Sequence, residues 1–260
     1  MADIEVHRIG AVGHIVISHP EKYNAMTLQM WRDLPLRIAE LDADPKIRAI
    51  VLRGDGEKAF VSGADISQFG DERSDPLAQQ NYKKLVDDAY LAPVRANKPT
   101  IAQIQGICIG GGLGLAAGCD IRICADNARF RMPAARLGLG YDQAGLQRFV
   151  ALIGVQNTYD IFYSARNFDA QEALRMGFVT RVVAPAQLSA VVLALTDAIA
   201  ENAPLTLKAA KLSINAFLQN SEPLHTGLAQ QAIDACNSSL DYAEGVRAFA
   251  EKRKPRFSGR

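Results

Sequence analysis

Three consecutive glycines, Gly110-Gly111-Gly112, constrain this chain more than any other stretch. They follow Thr100–Gln105, an apolar run that reads as a buried strand, and precede residues 113–118, which read as an apolar helix. Such a strand-to-helix turn has two physical uses. Without a Cβ the backbone can approach a ligand closely, and the unpaired N–H groups of the helix N-terminus face it with the positive end of the helix dipole behind them. Alternatively, the glycines serve tight packing of helix on strand, a use that Gly114 and Gly118 also fit. A phosphate loop would call for a following Lys-Ser/Thr or a GxGxxG pattern, and neither is present. What remains is packing alone, or an oxyanion site that draws a second N–H from elsewhere in the chain.

The 260 residues are 48% hydrophobic and 22% charged, enough apolar material for one large α/β domain or one with a helical appendage. Ile4–Ile9 and His14–Ser18 read as paired strands across a turn at Gly10–Gly13. Thr27 is placed to cap a helix reaching about Leu41, with Pro35 expected to distort it. Ala49–Leu52 reads as a buried strand, residues 54–63 as a loop, and Ala64–Phe69 as the start of a helical turn. Asp71–Asp75 is acidic and expected to be mobile, and a helix follows over Pro76–Ala96. Asp120–Cys124, Arg129–Arg131 and Val179–Val183 read as further strands. Three helices, Pro204–Leu218, Leu224–Ser238 and Tyr242–Arg253, close the chain. Strand–strand–helix units recur in the first half. The expected division is an α/β core over residues 1–200 and a helical region over 201–260.

Composition excludes several roles. Lys and Arg number 29 against 28 Asp and Glu, and a net charge of +1 gives no footprint for nucleic acid. No apolar run reaches the length of a membrane span, and no signal or transit peptide precedes the first strand, so a cytoplasmic location is expected. Cys108, Cys119, Cys124 and Cys236 match no zinc spacing, and Cys119 and Cys124 read as reduced core residues. His7, His14, His19 and His225 suggest neither a metal cluster nor a histidine base. A basic run, Lys252-Arg253-Lys254 with Arg256, reads as a solvated tail or a phosphate contact.

Four stretches together carry a family resemblance. Ala59-Phe60-Val61-Ser62-Gly63-Ala64-Asp65-Ile66 resembles the AF-x-x-GADI segment of the crotonase (enoyl-CoA hydratase/isomerase) family. Lys98-Pro99-Thr100 through the triple glycine to Cys119-Asp120 resembles its central segment, and Pro20-Glu21-Lys22-Tyr23-Asn24-Ala25 its early coenzyme A loop. Glu244-Gly245 through Lys254-Pro255 resembles its C-terminal motif. The resemblance spans nearly the whole chain. It implies a spiral of repeated ββα units with a helical C-terminal trimerisation region, assembled as a homotrimer or a dimer of trimers. It assigns the N–H groups of Ala64 and Gly111 as oxyanion-hole donors. It places Lys22, Tyr23, Ala25, Ser62, Asp65 and Ile66 at coenzyme A, together with Phe249 and Lys252, which can reach it in a neighbouring subunit. Coenzyme A enters as part of the substrate, and no separate cofactor or metal is implied.

The sequence departs from the hydratase pattern. The family's two catalytic glutamates would fall at Gly114 and Ala134, and neither residue can transfer a proton. The nearby turn Leu137-Gly138-Leu139-Gly140-Tyr141-Asp142 offers replacements. Dihydroxynaphthoyl-CoA synthases of the family have an aspartate in this turn, and methylmalonyl-CoA decarboxylases a Pro-Tyr-Asn. Tyr141 and Asp142 are therefore candidate catalytic groups, against the alternative of an Asx-type turn with a buried ring. Arg131 and Arg136, on either side of Ala134, read as surface residues or as an anion contact. The expected activity is an acyl-CoA enzyme stabilising a thioester enolate or oxyanion. The alternatives are a malonyl-type decarboxylase, residual hydratase or isomerase chemistry, and a noncatalytic acyl-CoA-binding subunit.

Overall fold

A computed structural model describes residues 2–65, 67, 76–141, 143–218 and 223–260. Ile66, Asp142 and the acidic segment 71–75 lie outside the described residues.

The chain opens with strands β1 (Asp3–Ile9) and β2 (Val12–Ser18), which pair antiparallel with Ile9 opposite Val12. The turn is thus shorter than the Gly10–Gly13 expected from sequence. Val12 is 2% exposed and belongs to the core, so burial draws it and Gly13 into the strand. Helix α1 (Leu28–Ala43) is capped as expected, with the Thr27 hydroxyl accepting from Met30 N–H at 3.2 Å, and it continues through Pro35. Its buried face, Met30, Trp31, Leu34, Ile38 and Leu41, has the spacing of an amphipathic helix.

Three strand–strand–helix turns follow. Strands β3 (Ala49–Gly54) and β4 (Ala59–Val61) lead to α2 (Pro76–Arg95). Strands β5 (Thr100–Ile104) and β6 (Ile107–Ile109) lead to α3 (Gly111–Gly118). Strands β7 (Ile121–Ala125) and β8 (Arg129–Arg131) lead to α4 (Gln143–Ser164). In each turn the first strand joins one sheet and the second joins another. With β9 (Asn167–Asp169) and β10 (Arg181–Val183), the sheets have the orders β1-β2-β3-β5-β7-β10 and β4-β6-β8-β9. The strands from β2 to β10 in the first sheet are parallel, which is why β3 is a continuous apolar run buried on both faces. Val179, expected in the last strand, precedes it.

Helices α5 (Ala170–Met176) and α6 (Pro185–Ala200) complete the core, and α7 (Pro204–Leu218), α8 (Pro223–Asn237) and α9 (Leu240–Ala250) follow. Lys211 pins α7 to the spiral. Its ammonium, 8% exposed, meets Asp120 at 2.8 Å and donates to the carbonyls of Pro93 at 2.7 Å and Lys98 at 3.0 Å. Among the described residues no single helix is long and apolar enough to cross a membrane. Cys119 and Cys124 are free and buried, as expected, and so is Cys108.

Candidate active site

Two chain segments meet at the head of α3. Gly110, the residue before the helix, has φ 53° and ψ −109°, a conformation open to glycine and strained for other residues. Its N–H donates to the Arg131 carbonyl at 2.9 Å, so the loop is tied to β8 while the next residue starts the helix. A Cβ on Gly112 would lie 2.1 Å from the Val61 carbonyl, so α3 starts in direct backbone contact with β4. The packing reading of the triple glycine therefore holds at Gly112.

The second segment follows β4. Ala64 was expected to begin a helical turn, but it forms a parallel bridge to Met26. Met26 N–H donates to the Gly63 carbonyl and Asp65 N–H to the Met26 carbonyl, each at 2.8 Å. This pairing uses the groups before and after Ala64, so the N–H of Ala64 itself points away from Met26. Competition from the bridge explains why the helical reading fails. Gly63 lies against the head of α3, where a Cβ would sit 3.4 Å from the Ile109 carbonyl and 3.8 Å from Gly111 N. Among the described residues neither the Ala64 N–H nor the Gly111 N–H has an acceptor, and Gly111 is the first residue of its helix.

Both residues line a cavity of about 1160 Å³ that runs between α2, α3, α4 and α7. This exceeds the roughly 300–1,000 Å³ of ordinary small-molecule pockets. Gly114 and Ala134 also line it, so neither contributes an ionisable group to its wall. Tyr141 lines it too, with its ring held edge-on to Phe149 and Phe162 at centroid distances of 6.4 and 5.1 Å. Its hydroxyl sits over Gly114, 2.9 Å from where a Cβ would be. Ring packing and access to the cleft thus coexist in Tyr141.

Sequence reasoning missed two aromatic residues in this wall. Trp31 touches Gly111, whose Cβ would lie 3.0 Å from Cζ2 of the indole, and among the described residues its buried Nε1 has no hydrogen-bond partner. Tyr90 stands edge-on to Trp31 at 5.7 Å, with its hydroxyl 3.5 Å from the same Gly111 position. Burial, and then the neighbouring Tyr141 hydroxyl, push the Tyr90 pKa well above its usual value.

Of the residues expected at coenzyme A, Lys22, Tyr23, Ala25, Ser62 and Asp65 come together beside this cleft. Lys22 ends a short 3₁₀ turn, Pro20–Lys22, and Tyr23 and Asn24 both have positive φ. The Lys22 ammonium donates to the Asp65 carboxylate at 2.8 and 3.0 Å and to Ser67 Oγ at 2.8 Å. Ser62 Oγ donates to the Lys22 carbonyl at 3.0 Å, and Ser62 N–H to the Tyr23 carbonyl at 3.1 Å. Burial raises the Asp65 pKa, but Lys22 and Ser67 outweigh it and hold it below its ordinary value. Ala25 is buried, its carbonyl 2.9 Å from His19 Nδ1. Buried Asn24 holds the loop through the Asp55 and Ala59 carbonyls, a role its sequence position did not disclose.

Phe249 and Lys252 lie elsewhere. Phe249 is 87% exposed on α9, Lys252 is exposed with φ 53°, and neither lines the cavity in this chain. The rest of the basic tail is engaged internally. Arg253 donates to Glu244 at 2.6 and 3.0 Å, and Lys254 pairs with Glu201 at 3.1 Å. Arg131 donates to the Ala165 carbonyl at 2.8 Å, Arg136 is exposed, and neither lines the cavity.

A spiral of ββα turns with a cleft at the head of α3 is a crotonase-like fold. The match to the enoyl-CoA hydratase/isomerase family covers residues 8–260, and the chain belongs to that family. It is 32% identical to the short-chain-enoyl-CoA hydratase of Clostridium acetobutylicum, over 97% of this chain and 96% of that protein. It is 30% identical to the crotonyl-CoA hydratase of Syntrophomonas wolfei, over 94% and 93%. The crystal structure of an enoyl-CoA hydratase from Bacillus anthracis superposes with a TM-score of 0.90 at 30% identity, covering 99% of both chains.

Proposed function

We propose that this chain binds an acyl-CoA thioester with its carbonyl oxygen between the N–H groups of Ala64 and Gly111, and stabilises the enolate or oxyanion formed there. One observation carries the reading: two backbone N–H groups from separate segments, both without an acceptor among the described residues, border the same largely apolar cavity. Charge grows on a thioester oxygen as an enolate forms, so preplaced donors favour the transition state over the ground state. Lys22, Tyr23, Ala25, Ser62, Asp65 and Ile66 serve the coenzyme A moiety. Phe249 and Lys252 serve it in a neighbouring copy, brought there by an assembly through the helices from Pro204 onward, where Phe217, Tyr242 and Val246 are exposed.

The chemistry differs from hydration by a glutamate pair, because Gly114 and Ala134 stand at the cleft wall. Asp142 and Tyr141 supply the polar groups at the reacting carbon. Decarboxylation of a malonyl-type thioester fits a wall with Gly114 and Ala134 at the two glutamate positions. The C–CO₂ bond breaks, its electron pair becomes the enolate, CO₂ leaves, and a proton adds at Cα; no base is consumed. The relatives' names favour the competing reading, hydration of an enoyl-CoA.

Incubation with crotonyl-CoA, methylmalonyl-CoA and ethylmalonyl-CoA separates these readings. CO₂ release from either malonyl-type ester supports decarboxylation. Loss of enoyl absorbance at rates typical of hydratases overturns the argument from Gly114 and Ala134. Tight binding of all three esters without turnover means a noncatalytic acyl-CoA-binding subunit. Replacing Asp142 by Asn lowers turnover at least about a hundredfold if it is a general acid or base.

A further inference from the structure

Position 114 is empty of side chain, yet its space is filled. A Cβ there would lie 2.6 Å from Cζ of Tyr90 and 2.9 Å from the Tyr141 hydroxyl. The two phenols, from α2 and from the turn before α4, converge on the wall where α3 begins. Tyr90 Oη lies 3.5 Å from the Cβ position of Gly111, the residue whose N–H faces the cleft. The Tyr90 ring is fixed by Trp31 on one side and by α3 behind, where a Cβ on Gly118 would lie 2.4 Å from the Tyr90 carbonyl. Its hydroxyl is therefore preorganised.

Resting on the acyl-CoA reading above, we infer that Tyr90 is a catalytic hydroxyl of this cleft: beside Tyr141, it donates a hydrogen bond to the enolate held at Ala64 and Gly111 and then passes its own proton to Cα. In that step the Tyr90 O–H bond breaks and a C–H bond forms with the enolate's electron pair. The tyrosinate left behind regains a proton from water past Tyr141. Burial, and then Tyr141, keep this phenol protonated at neutral pH, so it can donate a hydrogen bond and is unsuited to abstracting a proton. This polarity agrees with a reaction whose carbanion arises by bond cleavage rather than by a base.

The test uses acetoacetyl-CoA, whose enolate absorbs in the near ultraviolet, beside butyryl-CoA, which stays neutral. Wild-type protein is expected to bind acetoacetyl-CoA with its enolate band enhanced. Tyr90→Phe keeps the ring against Trp31 and is expected to weaken the enolate form about ten- to a hundredfold, the scale of one hydrogen bond to a charge. Butyryl-CoA affinity should stay within about threefold of wild type. An undiminished enolate band in Tyr90→Phe overturns the role of Tyr90 and leaves the oxyanion reading standing. An equal loss of both ligands makes Tyr90 structural and also overturns it. No enolate band in the wild type overturns the oxyanion reading itself. If Tyr90→Phe fails to fold by circular dichroism, Tyr141→Phe takes its place, and an unchanged preference for the enolate there overturns the hydroxyl pair.

Discussion

Gly114 and Tyr90 compete for one volume: a Cβ on the glycine would lie 2.6 Å from Cζ of the tyrosine. The cleft wall is therefore built for a phenol from α2 instead of a side chain from α3.

Adding a side chain at 114 should cost stability while Tyr90 is present. Gly114→Ala is expected to destabilise by about 1–3 kcal/mol through overpacking, lowering Tm by roughly 2–12 °C. Combined with Tyr90→Ala, the two losses should be non-additive by about 0.5–3 kcal/mol, because the second change removes the atom that the first one strikes. Strict additivity in thermal melts would show that the two residues do not share this space.

The donor at Gly111 can be removed without removing a side chain. Gly111→Pro deletes the N–H at the first helical position, where proline is tolerated. Gly111→Ala keeps the N–H and meets the same Trp31 edge, whose Cζ2 would be 3.0 Å from the new Cβ, so it controls for crowding. Relative to the alanine variant, proline should lose about 2.7–4 kcal/mol of transition-state stabilisation. That corresponds to a fall in kcat of about a hundred- to a thousandfold, read on whichever thioester the wild type turns over. Equal rates in the two variants would remove Gly111 from the oxyanion site.

Asp65 should tie the coenzyme A loop to pH. Its pKa is depressed in the fold, chiefly by Lys22 against the opposing effect of burial. A carboxylate with a lowered folded pKa contributes stability that is present above its unfolded value and lost as pH falls through the folded one. Asp65→Asn should therefore lower Tm at pH 7, and the gap to wild type should close as the solution is acidified below the usual carboxylate range. A gap that stays constant down to acid denaturation would show that the Lys22 pair contributes nothing.

The opposite end of α3 is held by two guanidinium groups, one buried and one half-buried. Arg122, 3% exposed, donates to the carbonyls of Cys119 at 2.5 Å, Phe178 at 2.6 Å, Asp120 at 3.2 Å and Ala116 at 3.3 Å. Arg148 adds bonds to Ala117 at 2.8 Å and Cys119 at 3.2 Å. Cations at a helix C-terminus satisfy its last carbonyls and oppose the negative end of its dipole. Burial lowers the Arg122 pKa to about 10, which still leaves it charged at neutral pH. Lysine cannot reproduce a planar fork of donors, so Arg122→Lys should destabilise by about 1–3 kcal/mol per carbonyl left unpaired. Calorimetry would show this as a drop in Tm of at least roughly 2 °C.

Much of the site was legible in the sequence because backbone chemistry leaves local marks. Gly110-Gly111-Gly112 announced a close backbone approach, and the run from Ala59 to Asp65 announced its partner. Thr27 declared a cap, and β3 declared a strand buried on both faces. Ala64 misled, because its neighbours suit a helical turn and only the pairing of Gly63 and Asp65 with distant Met26 makes it extended. Tyr90 was hidden for a different reason. With Tyr82, Leu85, Val86 and Ala89 it forms one apolar stripe at helical spacing, and such a stripe reads as core. Nothing local distinguishes a ring that packs from a ring whose hydroxyl reaches a cleft.

The sequence by itself determined the recurring strand–strand–helix units, the glycine-rich head of α3 and the lack of an acidic side chain at 114 and 134, since these follow from residue type and short-range spacing; the spiral came through the family resemblance. Only the tertiary structure decided what fills the space at 114. That volume is bounded by α2, α3 and the turn before α4, separated along the chain and joined by packing, so its occupant is set by contacts that no local pattern encodes.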